Sequence, residues 1–225
     1  MQGVQPAVPA ASVILVRDRQ EGFEVLLLKR NPDLAYLGGA WVFPGGRVEK
    51  KDRKAGEDES DLEAAARAAI RETREECGMG LDRSGLIPAS LWITPVGLPR
   101  RFSTWFFLAV SPSGSVRVDG SEIHHHRWMT PREALGAHRS GEMFFAPPNF
   151  VILSELDTFR SLGDLVEQFK KSGARGYRPR LVTLSEGLCS IYEEDEEYHG
   201  EGLRQGGMRH RLWMRDSGWV YEKNF

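Results

Sequence analysis

The stretch Leu62–Met79, LEAAARAAIRETREECGM, limits what this chain can become more than any other. It is rich in strong helix formers, and no Gly or Pro interrupts it before Gly78. At about 100° per residue, Glu76 lies about 40° to one side of Glu72 and Glu75 about 60° to the other, so three carboxylates share an arc of about 100°. Leu62, Ala66, Ala69, Ile70, Thr73 and Cys77 occupy the neighbouring arc, which is expected to face a core. Like charges at i and i+4 repel by roughly a few tenths of a kcal/mol. A helix that accepts this cost along one edge is expected to meet a cation there. Hard divalent ions such as Mg²⁺ take oxygen ligands of this kind, usually together with substrate phosphates. The ordinary alternative is a solvated acidic face, and the surrounding sequence argues against it.

Upstream, Trp41-Val42-Phe43 reads as a short strand stopped by Pro44, followed by Gly45 and Gly46. Glycine permits backbone angles closed to other residues and lets a ligand approach the main chain, so a carbonyl here is available as an oxygen ligand. Ser12–Arg17 (SVILVR) and Phe23–Lys29 (FEVLLLK) flank the turn-rich run 18–22 and predict a hairpin. Met1–Ala10, with Pro6 and Pro9, is expected to be a loose lead-in, and Arg30–Gly39 a loop. The segment 50–61, KKDRKAGEDESD, is charged and aperiodic. It reads as an exposed loop, or alternatively as a flap whose lysines reach a substrate phosphate. Ser60 is the expected helix N-cap, with Glu63 completing a capping box.

Downstream, Leu91–Val96 and Phe102–Val110 read as strands. Their connection carries Arg100 and Arg101, whose planar forks suit phosphate oxygens. Trp128-Met129 ends a strand, and Thr130, Pro131 and Glu133 form the start of a helix with a capping box. His124–His126 invite a zinc reading, but neighbouring residues of a strand point to opposite faces. At most two of the three converge, so they are expected to rim a pocket. Helical spacing then covers 149–158 and 162–171, followed by a basic link, SGARGYRPR. Leu181–Tyr192 is strand-like at both ends, and 209–215 with 219–223 predicts a hairpin about Asp216-Ser217-Gly218. The expected organisation is a domain over 1–147 and an extension over 148–225 packed on it.

Composition excludes several classes. A net charge of −2 supplies no basic surface for nucleic acid or an anionic membrane. No apolar run approaches the ~20 residues needed to cross a bilayer. Two cysteines, Cys77 and Cys189, make no disulfide framework, and the start MQGVQPAVPA lacks the basic and apolar regions of a signal peptide. A cytoplasmic location is expected.

Arg71-Glu72-Thr73-Arg74-Glu75-Glu76-Cys77-Gly78-Met79, with Glu63 eight residues before Arg71 and FPGG ahead of it, resembles the Nudix box. Two departures stand out: eleven extra residues lie between Gly46 and Glu63, and Thr73 replaces a more apolar residue. The resemblance implies an α/β fold, the Nudix α/β/α sandwich with a mixed sheet, here carrying a C-terminal helical and hairpin extension. It implies a pyrophosphohydrolase in which Glu72, Glu75, Glu76 and the Gly46 carbonyl hold Mg²⁺ or Mn²⁺ and Arg71 orients a glutamate. The general base is Glu75 or Glu122. Arg30, Arg100, Arg101 and Gly45 are the candidates for contacting substrate. The partner is a small-molecule nucleoside diphosphate derivative, and a homodimer is left open. AWVFPGGRVEKKD, TPVGLPRRFSTWFFLAV, RWMTPREAL and APPNF are further similar to the branch of coenzyme A and acyl-CoA diphosphatases. ADP-ribose or a dinucleotide is the alternative substrate. A non-catalytic nucleotide sensor and an isoprenoid diphosphate isomerase are alternatives of other classes.

Overall fold

The computed structural model describes residues 5–56, 61–200, 202–203 and 206–225. Ser60, the capping box expected on it, and Glu57–Glu59 of the insert lie outside the described residues. The two apolar runs near the start form the expected hairpin, β1 (Val8–Arg19) and β2 (Gly22–Arg30), with Gly22 at φ 98°. Their mutual pairing extends only from Val16 opposite Val25 to Arg19 opposite Gly22. Beyond that point the strands part, and the chain after the loop fills the fork. There β3 (Trp41–Val42) pairs with β2, and β4 (Gly45–Arg47) pairs with β1. The Val13 N–H donates to the Pro44 carbonyl at 2.8 Å, so the proline closes the fork with its acceptor. This wedge holds the paired glycines inside the sheet.

The sheet continues through β5 (Ile87–Ile93), β6 (Phe102–Val110) and β7 (Ile123–Met129). β6 runs parallel to β1 along Val8–Val16, β5 is antiparallel to β6, and β7 is antiparallel to β2. A short strand, β8 (Arg175–Tyr177), joins β5 in parallel, giving the order β3-β2-β1-β6-β5-β8 with β4 on β1 and β7 on β2. Both faces are covered, which is why the central strands read as unbroken apolar runs. Val13, Leu15, Leu26 and Leu28 face α1 (Leu62–Cys77), whose alanines Ala65, Ala66, Ala68 and Ala69 are buried with them. Ile14, Val16, Val25 and Leu27 face the other way. They pack with α2 (Pro131–Arg139), α3 (Pro147–Leu156) and α4 (Leu162–Ser172). The result is an α/β/α sandwich about a mixed sheet.

The C-terminal part adds a second, antiparallel sheet of β9 (Arg180–Thr183), β10 (Leu188–Ile191), β11 (His210–Arg215) and β12 (Gly218–Lys223), in the order β12-β11-β10-β9. It shares the core behind α3 through Tyr192 and Leu212. Tyr177 of β8 stacks on Trp92 of β5 with centroids 4.0 Å apart and planes 4° from parallel. Glu155 of α3 accepts from the hydroxyls of Tyr177 and Tyr221 and from Lys223 Nζ at 2.8 Å.

Several expectations need correcting. The lead-in is not loose to Ala10: Val8 donates to the Arg101 carbonyl at 2.8 Å, and Pro9 enters the sheet by offering only its carbonyl, to Val48. The strand expected over 91–96 spans 87–93 and ends before Pro95. Part of the basic link is β8, a strand that exists because β5 presents a free edge. The insert is not simply an exposed loop, since Lys50–Asp52 forms a 3₁₀ turn with Asp52 buried.

Candidate active site

The carboxylate helix starts at Asp61, whose side chain accepts from the Glu63 N–H at 2.6 Å, and ends at Gly78 in the left-handed conformation (φ 71°). The Glu63 carboxylate is bound by Arg83, with Nε at 2.9 Å, and not by Arg71, which gathers the acidic cluster. Thr73 is buried, and its hydroxyl donates to the Ala69 carbonyl at 2.7 Å, which satisfies the polar atom that the apolar position would lack.

Glu76 is 4% exposed and receives the Gly45 N–H at 2.8 Å. A Cβ on Gly46 would overlap the Glu72 carboxylate, and one on Gly45 would overlap the Ala11 carbonyl and lie 2.6 Å from Ser12 Cα. Both glycines are therefore required by close approach: Gly45 packs onto β1, and Gly46 packs onto the acidic edge of α1. Ser12 completes the support by donating to the Pro44 carbonyl at 2.9 Å.

Arg71 organises the remaining acids. Its Nε and one terminal nitrogen hold Asp52 at 3.0 and 2.9 Å. The other terminal nitrogen holds Glu72 at 2.8 Å and Glu75 at 3.0 Å. It also donates to the Arg47 carbonyl at 3.0 Å, which ties the helix to the residue after Gly46. Asp52 is a member of this network that sequence reasoning missed; the only hint was one carboxylate within the basic run KKDRK. Burial alone would raise the Asp52 pKa, but Arg71 and the Glu49 N–H outweigh it and hold the carboxyl below its usual range. Lys51 lies 3.7 Å from Glu75, so a lysine of the insert does face the acidic edge.

Electrostatics single out Glu76. Burial pushes its pKa up to about 8, against the Gly45 hydrogen bond; Glu72 and Glu122 add to the rise and Arg30 opposes it. Glu72 is raised by burial too, with Arg71 opposing and Glu75 and Glu122 reinforcing. The charges of Glu122 and Arg30, distant in sequence from the helix, thus act on its carboxylates. Glu122 is exposed, and its carbonyl accepts from the Asn31 N–H at 2.7 Å. Arg30 Nε is buried without a partner among the described residues. Arg100 lies over the Tyr36 ring at 5.5 Å. Arg101 instead bonds the Thr94 and Pro95 carbonyls through Nε and the Gln5 carbonyl through one terminal nitrogen, which fastens its loop. His124–His126 are exposed along β7.

Whether these residues suit a divalent cation follows from their chemistry. Buried, mutually repelling carboxylates with elevated pKa values are stabilised by positive charge. Among the described residues no three acidic, His or Cys side chains are already gathered as a metal cage. A hard divalent cation commonly takes one or two carboxylates and completes its shell with water and substrate phosphates. Glu72, Glu76 and the Gly46 carbonyl offer the donors.

Residues 6–146 match the NUDIX domain family model. The chain is 24% identical to an acyl-coenzyme A diphosphatase of Xenopus laevis over 86% of its own length and 81% of that protein. It is 32% identical to the human acyl-coenzyme A diphosphatase over 48% of its length and 31% of that protein. A crystal structure of a NUDIX hydrolase from Alicyclobacillus acidocaldarius superposes with a TM-score of 0.65 at 24% identity, covering 73% of this chain and 97% of that one; at that identity it speaks for the fold. No helix among the described residues is long and apolar enough to cross a membrane.

Proposed function

We propose a function from one premise: this chain belongs to the NUDIX family and is a diphosphate hydrolase. Its substrate in this proposal is coenzyme A or an acyl-CoA, a nucleoside diphosphate derivative cut at the diphosphate to adenosine 3′,5′-bisphosphate and a phosphopantetheine. The similarity to acyl-coenzyme A diphosphatases along most of the chain supports that choice. The observation that carries the hydrolytic reading is the buried Glu76 carboxyl, held by the Gly45 N–H beside Glu72.

Mg²⁺ or Mn²⁺, held by Glu72, Glu75, Glu76 and the Gly46 carbonyl, would supply charge neutralisation at the diphosphate and acidify a bound water. The chain's own groups then have distinct tasks. Arg71 keeps Glu72 and Glu75 from repelling one another apart and sets their orientation. Gly45 and Gly46 let the turn approach β1 and the acidic edge of α1 closely, which sets the Gly46 carbonyl beside Glu72. Arg30 brings a cation toward the same edge, suited to a phosphate oxygen. Glu75, more than half exposed, and Glu122 are the two carboxylates able to take a proton from the attacking water.

The deciding experiment is a mass-spectrometric product screen with CoA, acyl-CoAs, ADP-ribose and diadenosine compounds in H₂¹⁸O. Adenosine 3′,5′-bisphosphate and phosphopantetheine as the favoured products, with one of them labelled, are expected. Preferred cleavage of ADP-ribose would reassign the substrate, and no cleavage of any compound with Mg²⁺ or Mn²⁺ would remove the hydrolase reading.

A further inference from the structure

Between the glycine turn and the carboxylate helix lies a buried acid to which the hydrolytic step gives no task. Asp52 is 4% exposed, although it stands in the basic run KKDRK. Its main chain is held from two sides. The Asp52 N–H donates to the Glu49 carbonyl at 3.1 Å, and the Asp52 carbonyl accepts from Arg67 Nε at 2.6 Å. Its Oδ2 accepts the Glu49 N–H at 2.9 Å, which fixes the side chain as well. The carboxylate then meets Arg71, one helical turn after Arg67, so two neighbouring turns of α1 grip the same residue.

A guanidinium has five N–H donors, and Arg71 uses all five. Nε and one proton of Nη2 go to the two oxygens of Asp52, and the other Nη2 proton goes to the Arg47 carbonyl. Nη1 is left to serve Oε1 of Glu72 at 2.8 Å and Oε2 of Glu75 at 3.0 Å. Arginine pairs most strongly where two parallel N–H bonds meet both oxygens of one carboxylate, and here Asp52 takes that fork. Glu72 and Glu75 therefore give the arginine one oxygen each. Among the described residues Glu72 Oε2 accepts no hydrogen bond, and Glu75 Oε1 faces Lys51 Nζ at 3.7 Å, too far for one. A buried ion pair gains little over apolar packing in itself. What this pair decides is where the rest of the guanidinium points.

Resting on the hydrolase reading, we propose that Asp52 is a positioning residue for the metal ligands: by occupying the fork of Arg71 it limits that arginine to one oxygen of Glu72 and one of Glu75, and keeps the other oxygen of each open to a divalent cation. Without Asp52 the fork is free to turn onto Glu72 or Glu75 and cover both oxygens of a ligand. Arg71 then competes with the cation instead of orienting its ligands. Asp52 touches neither the cation nor the substrate, and acts only through Arg71.

The test titrates Mn²⁺ alone into the full chain and follows the free ion by electron paramagnetic resonance, at a temperature where circular dichroism shows each variant folded. Asp52→Asn is expected to weaken Mn²⁺ roughly ten- to hundred-fold, the usual effect of losing a group that orients a metal ligand. Adding Arg71→Met removes the competitor together with the charge that Asp52 balanced, and the double variant is expected to bind within a few-fold of the wild type. A merely structural role predicts no such recovery. Wild-type Mn²⁺ affinity in Asp52→Asn, or a double variant that binds far more weakly than the wild type, overturns the proposal. If Asp52→Asn does not fold, the double variant and the wild type decide the matter. In the wild type the Arg71 Nε–H is expected to exchange slowly with water by ¹⁵N NMR and to stay protected in saturating Mg²⁺. Loss of that protection would show the fork leaving Asp52 and also overturns the proposal. None of these readouts depends on turnover, so a chain that behaves as described but hydrolyses nothing sinks the hydrolase reading alone.

Discussion

At the residue scale, Glu76 makes stability and function oppose one another. Burial pushes its carboxyl from the ordinary 4.5 up to about 8. Between those values the folded chain keeps a proton that the unfolded chain has lost, so stability is highest below the lower value and declines as pH rises toward the upper one. Glu76→Gln keeps an acceptor for Gly45 and removes the charge. In chelator it is expected to raise the melting temperature at pH 8 by on the order of 5 °C, to do nothing at pH 4, and to lower turnover by orders of magnitude. A variant with normal turnover and no gain at pH 8 would remove Glu76 from the site. Asp52 has the reverse sign. Its pKa is held down by Arg71, so its contribution is complete above about pH 4 and is lost as pH falls through the lowered value. Asp52→Ala leaves a mostly buried guanidinium short of a partner and is expected to cost about 3–5 kcal/mol in urea unfolding at pH 7. The gap from wild type should narrow near pH 3; a gap independent of pH would show that the ion pair is not the cause.

At the scale of elements, the glycine turn and the helix act as one unit. β4 sits in the fork between β1 and β2, α1 packs over it, and only glycines fit where they meet. Gly46→Ala is expected to push the Glu72 carboxylate aside and depress turnover while the chain stays folded, because the clash is with the end of a flexible side chain. Gly45→Ala meets backbone instead, with φ at 155°, and is expected to lower the melting temperature markedly. Thermal unfolding beside an activity assay separates the two outcomes; equal losses of stability would contradict this division of roles. The insert belongs to the same unit through Asp52 and Arg67, whose Nε donates to the Asp52 carbonyl at 2.6 Å.

At the scale of the whole molecule, the C-terminal third closes the core. Phe150, Val151, Leu153 and Leu156 of α3 lie against the sheet face formed by Ile14, Val16 and Leu27, and Tyr192 and Leu212 belong to the same cluster. A chain ended at Pro147 would leave that face exposed to water. It is expected to be insoluble or to lack a cooperative thermal transition, although the whole carboxylate site lies within it. A well-folded 1–147 fragment that still turns over substrate would show that the extension is dispensable. Arg211, fully buried with Asp195 at 2.6 and 2.7 Å, adds a polar anchor inside the extension.

What could be read directly from the residues was whatever depends on near neighbours. The α1 face has the 3.6-residue period, the β1–β2 runs are continuous apolar segments, and the Thr130–Glu133 box is realised by contacts three residues apart. Local sterics and local burial set these features, so they survive without knowledge of the rest of the chain. The burial of Asp52, the strand Arg175–Tyr177, the forked hairpin and the tie between Asn31 and Glu122 depend on partners far along the chain. An edge strand needs a free edge, and a buried acid needs a particular guanidinium. Such requirements are met only when the whole chain has closed around them.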